Sequence, residues 1–404
     1  MDFTALPDYA ARIEADLRQN ILPFWMQHGI DRERDVVVGS LTNDLVADPA
    51  AERGALLASR VLWTFAAAHR RYDDPAYLEI AGRAHADLLR HFHDRTHGGF
   101  YWSVAADGTV LRDRKQIYGQ AFALYALAEY HLATGHAEPL EQAIAAFRLI
   151  ETYSRDPRHG GYFEAFSRDW QPIADMRLGG TDLNEPKSQN THLHVMEAYT
   201  NLLRAWPDPE LHAALRDIVT ILLDRIVDPS TAHLNLFFAA DWSVRSDRFS
   251  PGHDIEAAWL LLDAATALGD AALLARTQAL ALRIADVTLA AGVDADGALV
   301  NEIGPHGFTN TDKEWWPQAE AVVGFLAAYA LSRDERHLRG ALRAWDFIER
   351  RLIDREHGEW RRGVTRDGAV LADELKIGFW KCPYHNGRAA LEAVPRLRAL
   401  ADRR

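Results

Sequence analysis

The chain has 404 residues and a net charge of −13, with 45 Lys and Arg against 58 Asp and Glu. That acidity excludes a nucleic-acid partner, whose phosphates demand a basic face. Apolar runs such as "LLASRVLWTFAAA" are broken by charge well short of the ~20 residues a membrane span needs, so no membrane partner is expected either.

Hydrophobic residues make up 48% of the chain, enough for a sizeable core in one large domain or two to three small ones. The opening "MDFTALPDYAARIEADL" is acidic and amphipathic, unlike a signal peptide. A lone cysteine, Cys382, permits no internal disulfide. A cytoplasmic location is the expectation.

In chain order, short turn-rich segments alternate with helical ones. "GIDRERDVVVGSLTND" (29–44) precedes the apolar "SRVLWTFAAAHRRY" from Ser59. "FHDRTHGGFYWSVAADG" (92–108) precedes "YGQAFALYALAEY" from Tyr118. "SRDPRHGGYFEAFSRDW" (154–170) precedes "SQNTHLHVMEAYTNLLRAW" from Ser188. "VDPSTAHLNLFFAADW" (227–242) precedes "SPGHDIEAAWLLLDAATAL" from Ser250. "GVDADGALVNEIGPHG" (292–307) precedes "WWPQAEAVVGFLAAYAL", whose helix starts at Trp316. "IDREHGEWRRGVTRDG" (353–368) precedes "YHNGRAALEAVPRLRAL" from Tyr384.

The turn segments resemble one another, and their leading aspartates, Asp31, Asp94, Asp156, Asp228, Asp294 and Asp354, recur roughly every 60 to 72 residues. Each places Gly or Asp between short aromatic or β-branched runs, the pattern of a small hairpin. The apolar helices have charged companions such as "RGALRAWDFIERRL". Six pairs with an apolar inner and a charged outer member predict an all-α (α/α)6 barrel, one domain over 1–404. A linear helical solenoid is the structural alternative, and it would want polar caps at both ends.

Unusual residues gather where the later inner helices begin. Ser250 is a candidate N-cap and Pro251 a first helical residue, which sets His253 in the first turn and Glu256 on the same face. Pro383 precedes His385 in the same way. Pro317 follows Trp315 and Trp316. Ser188 precedes Asn190, with His194 a turn deeper. A helix N-terminus carries partial positive charge and so favours a neutral imidazole, able to act as a base near pH 7.

Two such bases facing one pocket suit proton removal from one face of a carbon beside a carbonyl, and its return to the other. That reaction needs neither metal nor redox cofactor. His192, two residues from His194, falls on another helix face and is left out. A metal site from His194, His253, His385 and Glu256 is the rival reading, but no HxxxH or HExxH spacing supports it. Trp316 and Trp380 border helix starts and polar neighbours. Arg60 sits in an otherwise apolar helix and needs either a structural carboxylate or a ligand oxygen.

"NTHLHVMEAYTNL", "GHDIEAAWLLLDAA", "WWPQAEA" and "WKCPYHNGRA", in that order, resemble the N-acylglucosamine 2-epimerase superfamily, within it the cellobiose 2-epimerase branch. The resemblance runs from "RVLWTF" to "PYHNGRA". It implies a barrel with the sugar site at one mouth. It further implies a small-molecule mono- or disaccharide substrate, no cofactor and a monomer or weak homodimer.

By the same resemblance, His253 and His385 form the acid/base pair at C2 of a ring-opened reducing-end sugar. His194 assists ring opening, and Glu256 orients or tunes His253. Arg60, Tyr118 and Asn190 contact the sugar and stabilise an enediolate, while Trp316 and Trp380 stack on sugar rings. Asp182 ranks below these. One departure stands at "RFSPGHDIE", where a tyrosine is expected before "GHDIE". Free mannose or glucose, epimerised or isomerised by the same histidine pair, is the alternative. A glycoside hydrolase built on Glu256 and Glu320 and a sugar-binding protein without activity are the two readings from other classes.

Overall fold

The computed structural model describes residues 5–402, so the first four residues of the N-terminal stretch and the last two of the expected domain lie outside it. Six inner helices are present: α3 (Ala55–Tyr72), α5 (Ile117–Thr134), α7 (Gln189–Ala205), α9 (Pro251–Leu268), α11 (Trp315–Ser332) and α13 (Tyr384–Asp402). The outer helices are α1 (Leu6–Asp16), continued through a π-turn by α2 (Leu22–His28), then α4 (Pro75–Asp87), α6 (Ala137–Leu149), α8 (Pro209–Ile221), α10 (Ala271–Val287) and α12 (Glu335–Phe347).

Local chemistry sets these boundaries. Four inner helices, α3, α5, α9 and α11, end on a left-handed residue: Asp73, Gly135, Gly269 and Arg333. The chain then reverses at once into an outer helix. Asp74, Asp208, Asp270 and Asp334 cap α4, α8, α10 and α12 through their side chains. Each return leads through a hairpin to the next inner helix, so all six inner helices run the same way and their N-termini share one mouth. α13 packs on α11, on α3 and on α1. The ring therefore closes, which rules out the solenoid. The first inner helix begins at Ala55, earlier than the expected Ser59.

The repeated aspartates are structural. Asp94, Asp156, Asp228 and Asp354 each accept two successive backbone N–H groups of their own turn. Four of the six also grip a buried lysine just before the next inner helix. Lys115 reaches Asp94 at 2.9 Å, Lys187 reaches Asp156 at 2.7 Å and Lys313 reaches Asp294 at 3.2 Å, while Lys376 pairs with Asp354. Removing one partner of such a buried pair costs about 3–5 kcal/mol.

A second clasp comes from the first turn of the inner helices. Gln120, His192, Asp254 and Gln318 each accept a hairpin N–H, from Phe100, Tyr162, Leu234 and Leu299. His192 is thereby a buried scaffold residue with both ring nitrogens engaged.

Candidate active site

At the N-terminal mouth lies a cavity of about 520 Å³. It brings together all nine residues singled out in the sequence: His194, His253, Glu256 and His385, with Arg60, Tyr118, Asn190, Trp316 and Trp380. They come from six helices and the segment before α13. Glu314, Trp315 and Arg362 complete the lining.

His253 lies in the first turn of α9, its N–H bonded to the Ser250 Oγ at 3.4 Å. Its ring centroid is 4.6 Å from that of Trp316, and His385 lies 5.7 Å from the same indole. The two imidazoles therefore border one aromatic ring. Gly252 makes this approach possible: a Cβ there would stand 2.7 Å from Trp316.

Behind the cavity is a network that was only partly anticipated. Arg388 is fully buried and donates to three glutamates, to Glu256 and Glu320 at 2.7 Å each and to Glu197. Glu197 also accepts from His194 Nδ1 at 2.8 Å and from the Tyr384 hydroxyl. Glu320 accepts from His385 Nδ1 at 2.7 Å and from Trp259 Nε1 at 2.9 Å. One guanidinium thus ties the carboxylates that hold His194 and His385. The sequence offered Glu320 only as half of a hydrolase pair. Glu256 and Glu320 instead share one arginine and do not flank an open space where a glycosidic bond could lie.

No hydrogen bond joins Glu256 to His253 among the described residues. The Glu256 carboxylate bonds Arg388 and lies 3.9 Å from His385, and His253 Nδ1 has no hydrogen-bond partner among the described residues. The i, i+3 spacing put Glu256 and His253 on one helix face, but α13 inserts Arg388 and pulls the carboxylate towards itself. Of "YHNGR", Arg388 is the centre of this network, and Asn386 donates to Glu359 at 2.6 Å.

Electrostatics follow from burial. Burial, aided by the neighbouring His194, pushes His253 down to about 3. Burial and then the charges of Arg60 and Arg388 hold His385 well below the usual range. Both imidazoles are therefore neutral at pH 7. Burial acts to raise Glu197, but Arg388, His194 and Tyr384 outweigh it and hold this carboxyl at about 2.

Burial pushes both Glu256 and Glu320 upward, with repulsion from Glu320 adding to it at Glu256 and from Glu197 at Glu320. Glu320 accepts from three donors, whereas Glu256 has one donor and an Oε2 without a partner among the described residues, and its carboxyl is the one raised well above the usual range. Glu256, Glu320 and His385 place ligand atoms within 4.8 Å of one another. The Arg388 guanidinium already lies between the two carboxylates as their cation.

Arg60 is the counterpart to this crowd. It is 2% exposed, donates to the Tyr118 hydroxyl at 2.7 Å, approaches Cys382 Sγ at 3.8 Å and stacks over Phe122 at 4.3 Å. No carboxylate pairs with it among the described residues. The sequence alternative of a structural carboxylate therefore falls, and a positive charge faces the cavity unmatched. Trp380 stands on the same side, 6.0 Å from Tyr118.

A second space of about 650 Å³ adjoins the first through Asn190, His253 and Trp316, and Asp182 lines it. Phe249, just before α9, stacks on His233 at 3.6 Å and lines neither space.

No described helix is long and apolar enough to cross a membrane. The family model described as N-acylglucosamine 2-epimerase matches residues 37–389. A cellobiose 2-epimerase of Bacteroides fragilis is 42% identical over 383 residues, covering 95% of this chain and 97% of that one. The structure of a cellobiose 2-epimerase from Spirochaeta thermophila superposes with a TM-score of 0.93 at 41% identity, over 98% of both chains. A D-mannose isomerase structure superposes at 0.85 with 23% identity and covers 95% of this chain and 97% of that one, which shows the shared barrel.

Proposed function

The chain belongs to the N-acylglucosamine 2-epimerase family, and on that premise we propose that it is a cofactor-independent sugar 2-epimerase. It inverts C2 of a reducing-end aldose, interconverting glucose and mannose units, with cellobiose as the favoured substrate. The observation that carries this reading is two neutral histidines bordering one indole, with an unpaired arginine in the same cavity.

The sugar opens with His194 beside its carbonyl-side oxygens. One histidine Nε2 takes the C2 proton, and the electrons pass to the carbonyl oxygen as an enediolate. Arg60 is the matching charge, desolvated and without a carboxylate of its own, so it favours the anion over the neutral aldose. The other histidine gives a ring N–H proton to the opposite face of C2 and regains one from water, while the first releases to water the proton it took, so both end neutral as they began. Glu320 holds His385 Nδ1–H, which leaves Nε2 to face the sugar. Trp316 and Trp380 offer ring faces to the pyranose. Nothing in this sequence of steps consumes a cofactor or uses the thiol of Cys382.

The space shared through Asn190, His253 and Trp316 gives room for a second ring, which favours a disaccharide. Incubation with cellobiose, lactose, mannose and glucose in D2O tests the reading. Expected are C2-epimeric product and deuterium at C2. Absence of both from every sugar overturns it. Ketose as the main product from free mannose would move the assignment to an isomerase.

A further inference from the structure

At the other end of the barrel, among the C-terminal halves of the inner helices, is a cavity of about 690 Å³, comparable with the 520 Å³ of the catalytic one. We infer that this back cavity is a second binding site, for a neutral sugar-sized ring, whose occupant slows the histidine chemistry. The binding part stands alone; the effect on rate rests on the function proposed above.

Its walls are Trp63, stacked on Tyr125 at 5.1 Å, and Trp259. Flat aromatic faces with polar edges are what the apolar C–H face of a sugar packs against. Four arginines line the cavity against four carboxylates. Arg70 is already matched by Glu129 at 2.7 Å and Arg204 by Asp263 at 2.6 Å. A lining so balanced gives a phosphate or another strong anion no advantage, and selects an uncharged occupant. The lining also holds donors in want of acceptors: Trp63 Nε1 and Arg388 Nε are buried and have no partner among the described residues. Sugar hydroxyls supply such acceptors.

The partition between the two cavities is a single layer of side chains. Trp259 Nε1 donates to Glu320, and the same carboxylate holds His385. Glu197 lines the back cavity and holds His194. Arg388 joins both carboxylates and lines the back cavity too. An occupant that moves Trp259 or bonds Arg388 therefore shifts the acceptors that orient two catalytic-side histidines. Linkage makes this reciprocal for binding: sugar in front alters affinity behind by the same factor.

The test uses methyl α-D-glucopyranoside, a ring-locked sugar that cannot be turned over. Ala67→Phe and, from the opposite wall, Leu391→Phe fill the back cavity without touching the front one, and thermal melts establish that each folds. In the wild type the glucoside is expected to change tryptophan fluorescence saturably and to lower kcat for cellobiose by roughly fivefold or more. In the filled variants kcat without glucoside stays near wild type, the kcat effect disappears, and any competitive component remains.

Purely competitive inhibition with a titration unchanged in both variants overturns the inference and leaves the proposed function intact. No turnover of any sugar, with a saturable fluorescence change lost in the filled variants, removes the proposed function and leaves the back site standing.

Discussion

His385 and His253 occupy the same first-turn position of two inner helices, yet they are held differently. His385 is tied at Nδ1 to Glu320, whereas Nδ1 of His253 has no partner among the described residues. A tied imidazole has a fixed tautomer and a fixed direction for its other nitrogen. An untied one is set only by its packing against Trp316. Two residues of the same type, both in the first turn of an inner helix, are therefore held in different ways. The difference is made by Trp259 on α9, Glu320 on α11 and Arg388 on α13.

Several variants can break or sharpen this contrast. His253→Asn and His385→Asn remove the two proposed bases, and each is expected to lower kcat by about 10²–10⁴-fold. A loss of only a few-fold in stopped assays, with the fold intact by circular dichroism, would move the roles elsewhere.

Glu320→Gln leaves both histidines present and weakens the acceptor of the tied one. Its cost should be smaller, about 10- to 100-fold, because misorienting a base cannot cost more than removing it. The fall should appear in kcat with KM little changed. Equal loss of sugar affinity would show that Glu320 supports the cavity as a whole.

A third expectation concerns acid. His253 falls from 6.5 in an unfolded chain to about 3 when folded. The unfolded state then binds more protons between those values, so stability is complete above 6.5 and declines as pH falls towards 3. His253→Asn should flatten that part of a plot of unfolding free energy against pH. A plot identical to wild type would show that burial does not hold this imidazole neutral. The smallest effect is expected from Phe249→Tyr. Phe249 lines neither cavity, so the ratio of cellobiose to mannose turnover should change by less than about twofold.

What could be read from the sequence was whatever has short range. Helix phase and caps within each repeat, and the regular recurrence of the repeats, led to the barrel, and together with the motifs that resemble a known family they led to all nine cavity residues. What could not be read was who bonds whom across the ring. Glu256 looked like the partner of His253 because both lie on one face of α9, but a contact from α13, 132 positions on, decides otherwise. Glu197 and Tyr384 stood inside quoted motifs without being singled out. An available signal was the buried charge itself: glutamates in otherwise apolar inner helices need a cation, and Arg388 is the arginine that α13 supplies.

The lysine clasps have a consequence for how such a mouth can change. Lys115, Lys187 and Lys376 each return to the turn of their own repeat, although the intervening stretches differ: the clasped residues are 21, 31 and 22 positions apart. The long stretch carries Asp182 and much of the wall of the second space, yet Lys187 still lands on Asp156 and α7 still begins at Gln189. Rim length is thereby uncoupled from helix placement. A lineage, or an engineer, can lengthen or rewrite the rim to suit another ligand while the histidines below keep their positions.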